Sequence, residues 1–111
     1  MIAITFPSKY GTEVVLTSKH KALTERPPRY GIIVSSNVSS KINEAGCFVV
    51  NVDGETTSEL VDCEVIDAMR LKSAKAFLEC EVVENKEAGA DVLIIGRILR
   101  AVGQVEHQSL F

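Results

Sequence analysis

The length, composition and charge of the chain limit the classes of protein it can be. Its 111 residues, 46% hydrophobic and 24% charged, match one globular domain spanning residues 1–111 and exclude a disordered chain. The net charge of −3 excludes a basic surface for nucleic acid or an anionic membrane, and 5% aromatic residues leave few rings on which bases could stack.

Three strands are predicted in the first third of the chain. Residues 1–6 alternate between apolar and polar, and residues 12–18 follow after a turn, so the two segments predict a hairpin. Residues 19–26 are polar and irregular and predict a loop. Pro27 and Pro28 cannot lie inside a central strand, and they lead into a third strand over residues 29–35.

Two short helices are predicted on either side of a buried strand. Hydroxyl and amide side chains over residues 35–40 suit helix N-caps and predict a helix over residues 40–45, which Gly46 would end. Residues 47–52 (CFVVNV) are apolar on both faces, as in a well-buried strand. Thr56 and Glu59 have the spacing of a capping box and predict a second helix that runs to about residue 69.

Two more strands complete the predicted sheet. Residues 76–84 alternate, and residues 91–101 form a long apolar strand in which Gly96 indicates a bulge or a close backbone approach. The polar segment from residue 102 to residue 111 predicts no clear element. Six strands and two short helices indicate a mainly β protein, an antiparallel β-barrel with α insertions that hides its sheet edges.

The side chains that usually carry catalysis or bind metals form no motif here. His20 and His107 lack a second ligand at metal spacing and are predicted to lie on the surface, and Glu79 and Glu81 are predicted to face solvent along a strand. No catalytic residue and no metal ligand is therefore predicted. An enzyme of this kind would need a bound cofactor to supply the reactive group.

Cysteine usage and the first residues indicate the compartment. The thiols of Cys47, Cys63 and Cys80 are far apart and lie in apolar patterns, which favours buried, reduced cysteines over a metal site or disulfides. The N-terminal residues lack the pattern of a signal peptide, and no apolar run reaches the length of a membrane span. A cytoplasmic protein is expected.

Two polar stretches are candidates for anion binding. Hydroxyls beside a helix start, over residues 35–40, suit a phosphate site, although plain helix capping explains them as well. The basic residues between 19 and 29 suit either a solvated loop or an anion contact.

Four segments between residues 26 and 101 resemble the flavin-reductase-like family of FMN-binding split-barrel proteins. In chain order they are RPPRYGIIVS from Arg26, SSKINEAG from Ser39, FVVNV from Phe48 and AFLECEVV from Ala76, and the next strand reaches Gly96. The resemblance implies a six-stranded antiparallel split barrel and a homodimer that binds FMN near the subunit interface. It also implies hydride transfer from NADH or NADPH, or electron transfer onward.

The resemblance assigns a cofactor site to two segments. The polar end of the second strand would contact the flavin, and the hydroxyl-rich segment would hold its phosphate or ribityl chain. The assigned residues are Thr17, Ser18 and Lys19 in the first segment and Ser35, Ser36, Asn37, Ser39 and Ser40 in the second.

Departures from the family pattern support a second hypothesis. Family members are usually longer, the span between Val52 and Ala76 is short here, and residues 37–40 lack the Arg-containing pattern of the family. The first hypothesis is an FMN-binding oxidoreductase domain, a flavin reductase or flavin-linked electron carrier that uses NAD(P)H or a protein donor. The alternative is a non-enzymatic dimeric split-barrel module that has lost productive flavin binding. A barrel that binds single-stranded nucleic acid is a weaker third hypothesis, which would require salt-dependent binding.

Overall fold

A computed structural model describes residues 2–103, apart from the side chains of residues 24 and 25, as nine strands and one helix. In chain order these are β1 (Ile2–Ser8), β2 (Gly11–Thr17), β3 (His20–Glu25), β4 (Pro28–Ser35), α1 (Ser36–Ala45), β5 (Cys47–Val52), β6 (Leu60–Asp62), β7 (Met69–Leu71), β8 (Ala76–Ala88) and β9 (Asp91–Val102). Seven strands form one antiparallel sheet in the order β2-β1-β5-β8-β9-β4-β3, and β6 pairs only with β7. His107 and the remainder of the predicted polar tail beyond residue 103 lie outside the described residues.

The mainly β class is confirmed, but the predicted number of strands was wrong. Over residues 2–103 the main sheet has seven strands rather than six, because the segment predicted as a loop forms β3 (His20–Glu25). This strand lies at the edge of the sheet and pairs with β4. An edge strand with one face toward solvent can be polar, so its sequence lacks the apolar pattern that marks the central strands.

The second predicted helix was also wrong, since residues 53–75 form β6, β7 and loops. The backbone N–H groups of residues 64–66 donate to the carboxylate of Glu79, whereas in a helix they would donate to carbonyls four residues earlier. The prediction that Glu79 faces solvent was wrong for the same reason, because its side chain is fully buried beneath this loop. The hydrogen bonds to Glu79 therefore hold a loop where the capping-box pattern of Thr56 and Glu59 predicted a helix.

The sheet curls into an antiparallel half-barrel around an aliphatic core. The core residues are Ile2, Ile4, Phe6, Tyr30, Ile32, Val34, Ile42, Phe48, Val50, Leu78, Cys80 and Ile94. Although β2 and β4 are not neighbours in the sheet order, Ile33 N donates to Lys19 O over 2.9 Å, and Thr17 Oγ1 donates to Ile33 O over 2.9 Å. The curl therefore brings the end of β2 against β4.

Helix α1 begins earlier than the sequence predicted and ends where expected. Ser35 is the N-cap, so the helix starts at Ser36 rather than near Ser40, and Gly46 ends it in the left-handed conformation with φ 76°. Ile42 anchors the helix in the core. No helix within residues 2–103 is both long and apolar enough to cross a membrane.

The close approach predicted at Gly96 is confirmed. A Cβ atom at this position would lie 2.6 Å from Phe48 Cζ and 2.9 Å from Cys80 Cβ. The register of β8 against β9 also shifts next to it, between Val82 and Glu84. Gly96 therefore leaves room for the Phe48 ring inside the half-barrel.

Candidate functional site

An open depression of about 350 Å³ lies where β2 ends, β4 ends and α1 begins. We call it the strand-end depression. Its lining residues are Val15, Leu16, Thr17, Ser18, Lys19, Ile33, Val34, Ser35, Val38 and Asp91. Aliphatic side chains, hydroxyls and two opposite charges thus share one concave surface.

Four of the eight predicted cofactor residues line this depression, namely Thr17, Ser18, Lys19 and Ser35. The other four lie in the first turns of α1, where Ser36, Asn37 and Ser40 are exposed and Ser39 is buried. The curl of the sheet therefore brings the two predicted segments next to each other. Their role in binding a cofactor remains a prediction.

Thr17 holds the turn between β2 and β3 in place. Its buried hydroxyl donates to Ile33 O and accepts a hydrogen bond of 3.1 Å from Lys19 N. The neighbouring side chains of Ser18 and Lys19 are exposed at the rim of the depression. The Thr17 hydroxyl therefore positions the two residues beside it.

The hydroxyls at the start of α1 have partners within the chain. Ser35 Oγ accepts from Val38 N over 3.3 Å, which is an N-cap. Ser39 Oγ accepts from Asn43 Nδ2 over 3.4 Å, and Ser40 Oγ donates to Ser36 O over 3.1 Å. The Ser35 hydroxyl therefore caps the helix. The other backbone N–H groups of the first turn have no partner inside the helix.

Two charged side chains, Lys19 and Asp91, line the depression. Asp91 is the first residue of β9 and pairs with Ser35 of β4. Sequence reasoning missed Asp91 because its place beside Ser35 depends on the pairing of strands 56 residues apart, which no local pattern reveals.

The lining fits a flavin in its chemistry. A flavin combines a flat, largely apolar ring with a hydroxylated chain and a phosphate. Leu16, with 53% of its surface exposed, and Val15 and Ile33 offer apolar surface. Lys19 and the first-turn N–H groups of α1 offer donors, and the positive end of the helix dipole favours an anion.

His20 and Tyr30 form a hydrogen-bonded pair next to this region. His20 Nδ1 lies 2.6 Å from Tyr30 Oη, and burial, with a small addition from Cys80, raises the pKa of Tyr30 to about 12. His20 is partly exposed, so it lies at the surface with one ring nitrogen bonded to a buried side chain. The two rings are stacked, with their centroids 6.0 Å apart.

The three thiols are in apolar surroundings. Cys47 and Cys80 are buried and Cys63 is partly buried. Burial, followed by the charge of Glu79, raises the pKa of Cys63 to about 12 and also raises the pKa of Cys80. Burial and Asp67 raise the pKa of Cys47 as well. The thiolate is the reactive form, so the raised pKa values favour the less reactive thiol form of these cysteines near neutral pH.

Comparison with known proteins finds likeness in structure only. No family model and no curated protein matches the sequence. Component B of nitrilotriacetate monooxygenase from Bacillus cereus superposes with a TM-score of 0.81 at 20% identity, covering 92% of this chain and 68% of that one. An FMN-binding protein from Thermus thermophilus gives 0.83 at 14% identity, covering 93% and 70%. The styrene monooxygenase flavin reductase from Pseudomonas putida S12 gives 0.78 at 16% identity, covering 92% and 79%.

These likenesses define the class of the fold. The chain is a curled antiparallel half-barrel, and it shares its fold with proteins named flavin reductase and FMN-binding protein. The resemblance read from the four sequence segments is confirmed at this level. One flavin reductase and one FMN-binding protein share the arrangement over more than nine-tenths of this chain.

Proposed function

We propose that the chain is a flavin-binding oxidoreductase domain that takes FMN and acts as a flavin reductase or a flavin-linked electron carrier. One observation carries the proposal. The turn after β2 and the start of α1 converge on one depression, and this happens in a fold shared with proteins named flavin reductase and FMN-binding protein.

Groups of the strand-end depression and of the adjoining start of α1 would each have a role toward such a ligand. Lys19 and the N–H groups at the start of α1 would bind the phosphate, and Ser18 and Ser36 would hydrogen-bond the ribityl chain. Leu16 would cover part of the ring. When bound, a flavin supplies the capacity to accept hydride from NADH or NADPH and to pass electrons on. The proposed site further includes Thr17, Ser35, Asn37, Ser39 and Ser40.

The proposal extends to assembly and compartment. Leu23, Ile33 and Leu93 lie on the side of β3, β4 and β9 that faces away from the core, and 39% of the surface of Leu23 is exposed. We include a homodimer because such an aliphatic face is suited to a second copy. We also propose one domain over residues 1–111. We further propose a cytoplasmic location, which is consistent with the free cysteines Cys47, Cys63 and Cys80.

The test is to incubate purified protein with FMN, desalt it and record the visible spectrum. A retained flavin band that NADH or NADPH bleaches supports a flavin reductase, and a retained band that neither bleaches supports a carrier with a protein donor. Lys19→Ala should weaken FMN binding, whereas Lys21→Ala, an exposed lysine two residues along β3, should not. Ser39→Ala and Ser40→Ala test the part of the proposed site that lies in α1, by the same measurement of retained flavin.

One observation favours the alternative, a dimeric split-barrel module without productive flavin binding. The hydroxyls of Thr17, Ser35 and Ser40 already have partners in the chain, and Asp91 adds a negative charge to the depression. A protein that stays colourless after incubation with FMN would establish this alternative over the first proposal.

A further inference from the structure

Asp91 is the acidic residue among those that line the strand-end depression. Its Cα lies directly opposite that of Ser35 in the β4–β9 ladder, at about 5 Å for an antiparallel pair. Within the described part of the chain, neither Asp91 nor Lys19 forms an ion pair, and they are the charged residues of the lining. The side chains of the depression therefore carry no net charge.

The opposite charges of Lys19 and Asp91 affect the phosphate and the ribityl chain of a flavin differently. A phosphate monoester carries about −1.5 to −2 charges near pH 7, so the carboxylate of Asp91 repels it and offsets the attraction of Lys19. The hydroxyls of a ribityl chain carry no charge, and each can donate a hydrogen bond to a carboxylate oxygen. The depression therefore suits a neutral polyol at least as well as a phosphate.

We infer that Asp91 determines the ligand preference of the depression and makes it accept unphosphorylated flavin, with riboflavin bound nearly as well as FMN. The inference rests on the proposed flavin site. It adds that the side chains of the depression contribute little to the binding of the phosphate, because Asp91 cancels the electrostatic gain that Lys19 provides.

The experiment titrates the full chain with FMN and with riboflavin and follows the quenching of flavin fluorescence. We expect the two dissociation constants of the unaltered protein to agree within about threefold, and Asp91→Asn to shift their ratio toward FMN by about fivefold at low salt. The shift should shrink in 0.5 M salt, a concentration at which exposed charges are screened within about 4 Å. Asp62→Asn, which removes the same charge from an exposed position on β6, should leave the ratio unchanged.

Two results would overturn the inference in distinguishable ways. If both flavins bind but Asp91→Asn leaves their ratio unchanged, the flavin site stands and Asp91 has no part in its preference. If neither flavin binds the unaltered protein, the proposed function fails and the inference fails with it. Circular dichroism of the Asp91→Asn protein shows whether it is folded, so that a loss of both ligands through unfolding is recognised.

Discussion

At the scale of single residues, the buried carboxylate of Glu79 attaches the loop between β6 and β7 to the sheet. Glu79 Oε1 accepts from Val65 N over 2.8 Å and from Ile66 N over 3.2 Å, and Oε2 accepts from Arg100 Nη1 over 2.6 Å. A fully buried carboxylate is tolerated only when its oxygens are paired in this way. Glu79 therefore accepts hydrogen bonds from backbone N–H groups of this loop that would donate to backbone carbonyls in a helix.

Glu79→Gln should lower the free energy of unfolding by about 3 kcal/mol, because the amide nitrogen faces groups that are themselves donors and Arg100 loses the buried one of its two carboxylate partners, Glu79 and Glu64. Urea denaturation measures this change. Glu81→Gln is the matched control on the same strand, since Glu81 pairs with Arg97 at a partly exposed position, and its loss should stay below about 1 kcal/mol. Equal losses in the two variants would contradict the role given to Glu79.

The same carboxylate makes stability depend on pH. Burial opposes the ionised form of Glu79, but the hydrogen bonds from Val65, Arg100, Glu64 and Ile66 together outweigh it and hold its pKa below the ordinary 4.5. A group with a depressed pKa contributes stability that is complete above the unfolded value and is lost as pH falls through the folded one. Unfolding free energy should thus fall below about pH 4.5 in the unaltered protein and fall less steeply in Glu79→Gln. Parallel curves would count against this linkage.

Gly96→Ala should cost about 2 kcal/mol, because a Cβ would overlap the Phe48 ring and Cys80 in a packed core. Thermal unfolding followed by circular dichroism is the measurement. Gly31 is the matched control on the neighbouring strand, where a Cβ would meet the side-chain tips of Leu23 and Leu93 at 3.1 and 3.2 Å. Leu23 is partly exposed and can move, so Gly31→Ala should cost less than about 1 kcal/mol.

At the scale of elements, the ends of α1 are determined by two residues. Ser35→Ala removes the side chain that caps Val38 N and should lower stability by about 1 kcal/mol. Ser40→Ala removes a hydroxyl that only bonds the preceding turn at an exposed position, and its effect should lie within about 0.5 kcal/mol. Chemical denaturation compares the two, and a larger loss for Ser40→Ala would contradict the assigned cap.

The sequence predicted those elements whose own pattern decides their structure. Alternation located β1, β2 and β8, and apolar runs located β5 and β9, because each of these strands has at least one face in the core. It failed for β3, which is a polar edge strand, and for residues 53–75, where Thr56 and Glu59 suggest a helix. That segment is instead held by Glu79, and also by Asn51, whose Oδ1 accepts from Leu71 N over 2.9 Å. Neither partner can be deduced from local spacing.

The candidate site was predictable to the same extent. The hydroxyl-rich start of α1 and the polar end of β2 are visible as short runs, and the family resemblance joined them. The position of Asp91 beside Ser35 and the hydrogen bond from Thr17 to Ile33 could not be predicted, because both depend on the curl of the sheet. That curl arises from pairings between strands that are far apart in the chain.

At the scale of the whole molecule, the proposed homodimer can be measured directly. Light scattering should give twice the mass of one chain, and Leu23→Asp should raise the dissociation constant at least tenfold if the outer face of β3, β4 and β9 is the interface. Val65→Asp is the matched control, because Val65 is 53% exposed in the loop between β6 and β7. A mass of one chain would exclude the dimer, and weakening by Val65→Asp alone would move the interface to that loop.

The attachment of the β6–β7 segment to the sheet also has a consequence for the order of folding. Thr5 Oγ1 donates to Met69 O over 2.7 Å across 64 residues of sequence, and Asn51 and Glu79 hold the segment from two other strands. Contacts so distant in the chain close large loops, and their partners on β1, β5 and β8 must already be aligned when they form. The segment therefore docks late and opens first, so its amides should exchange with deuterated solvent before those of the central strands.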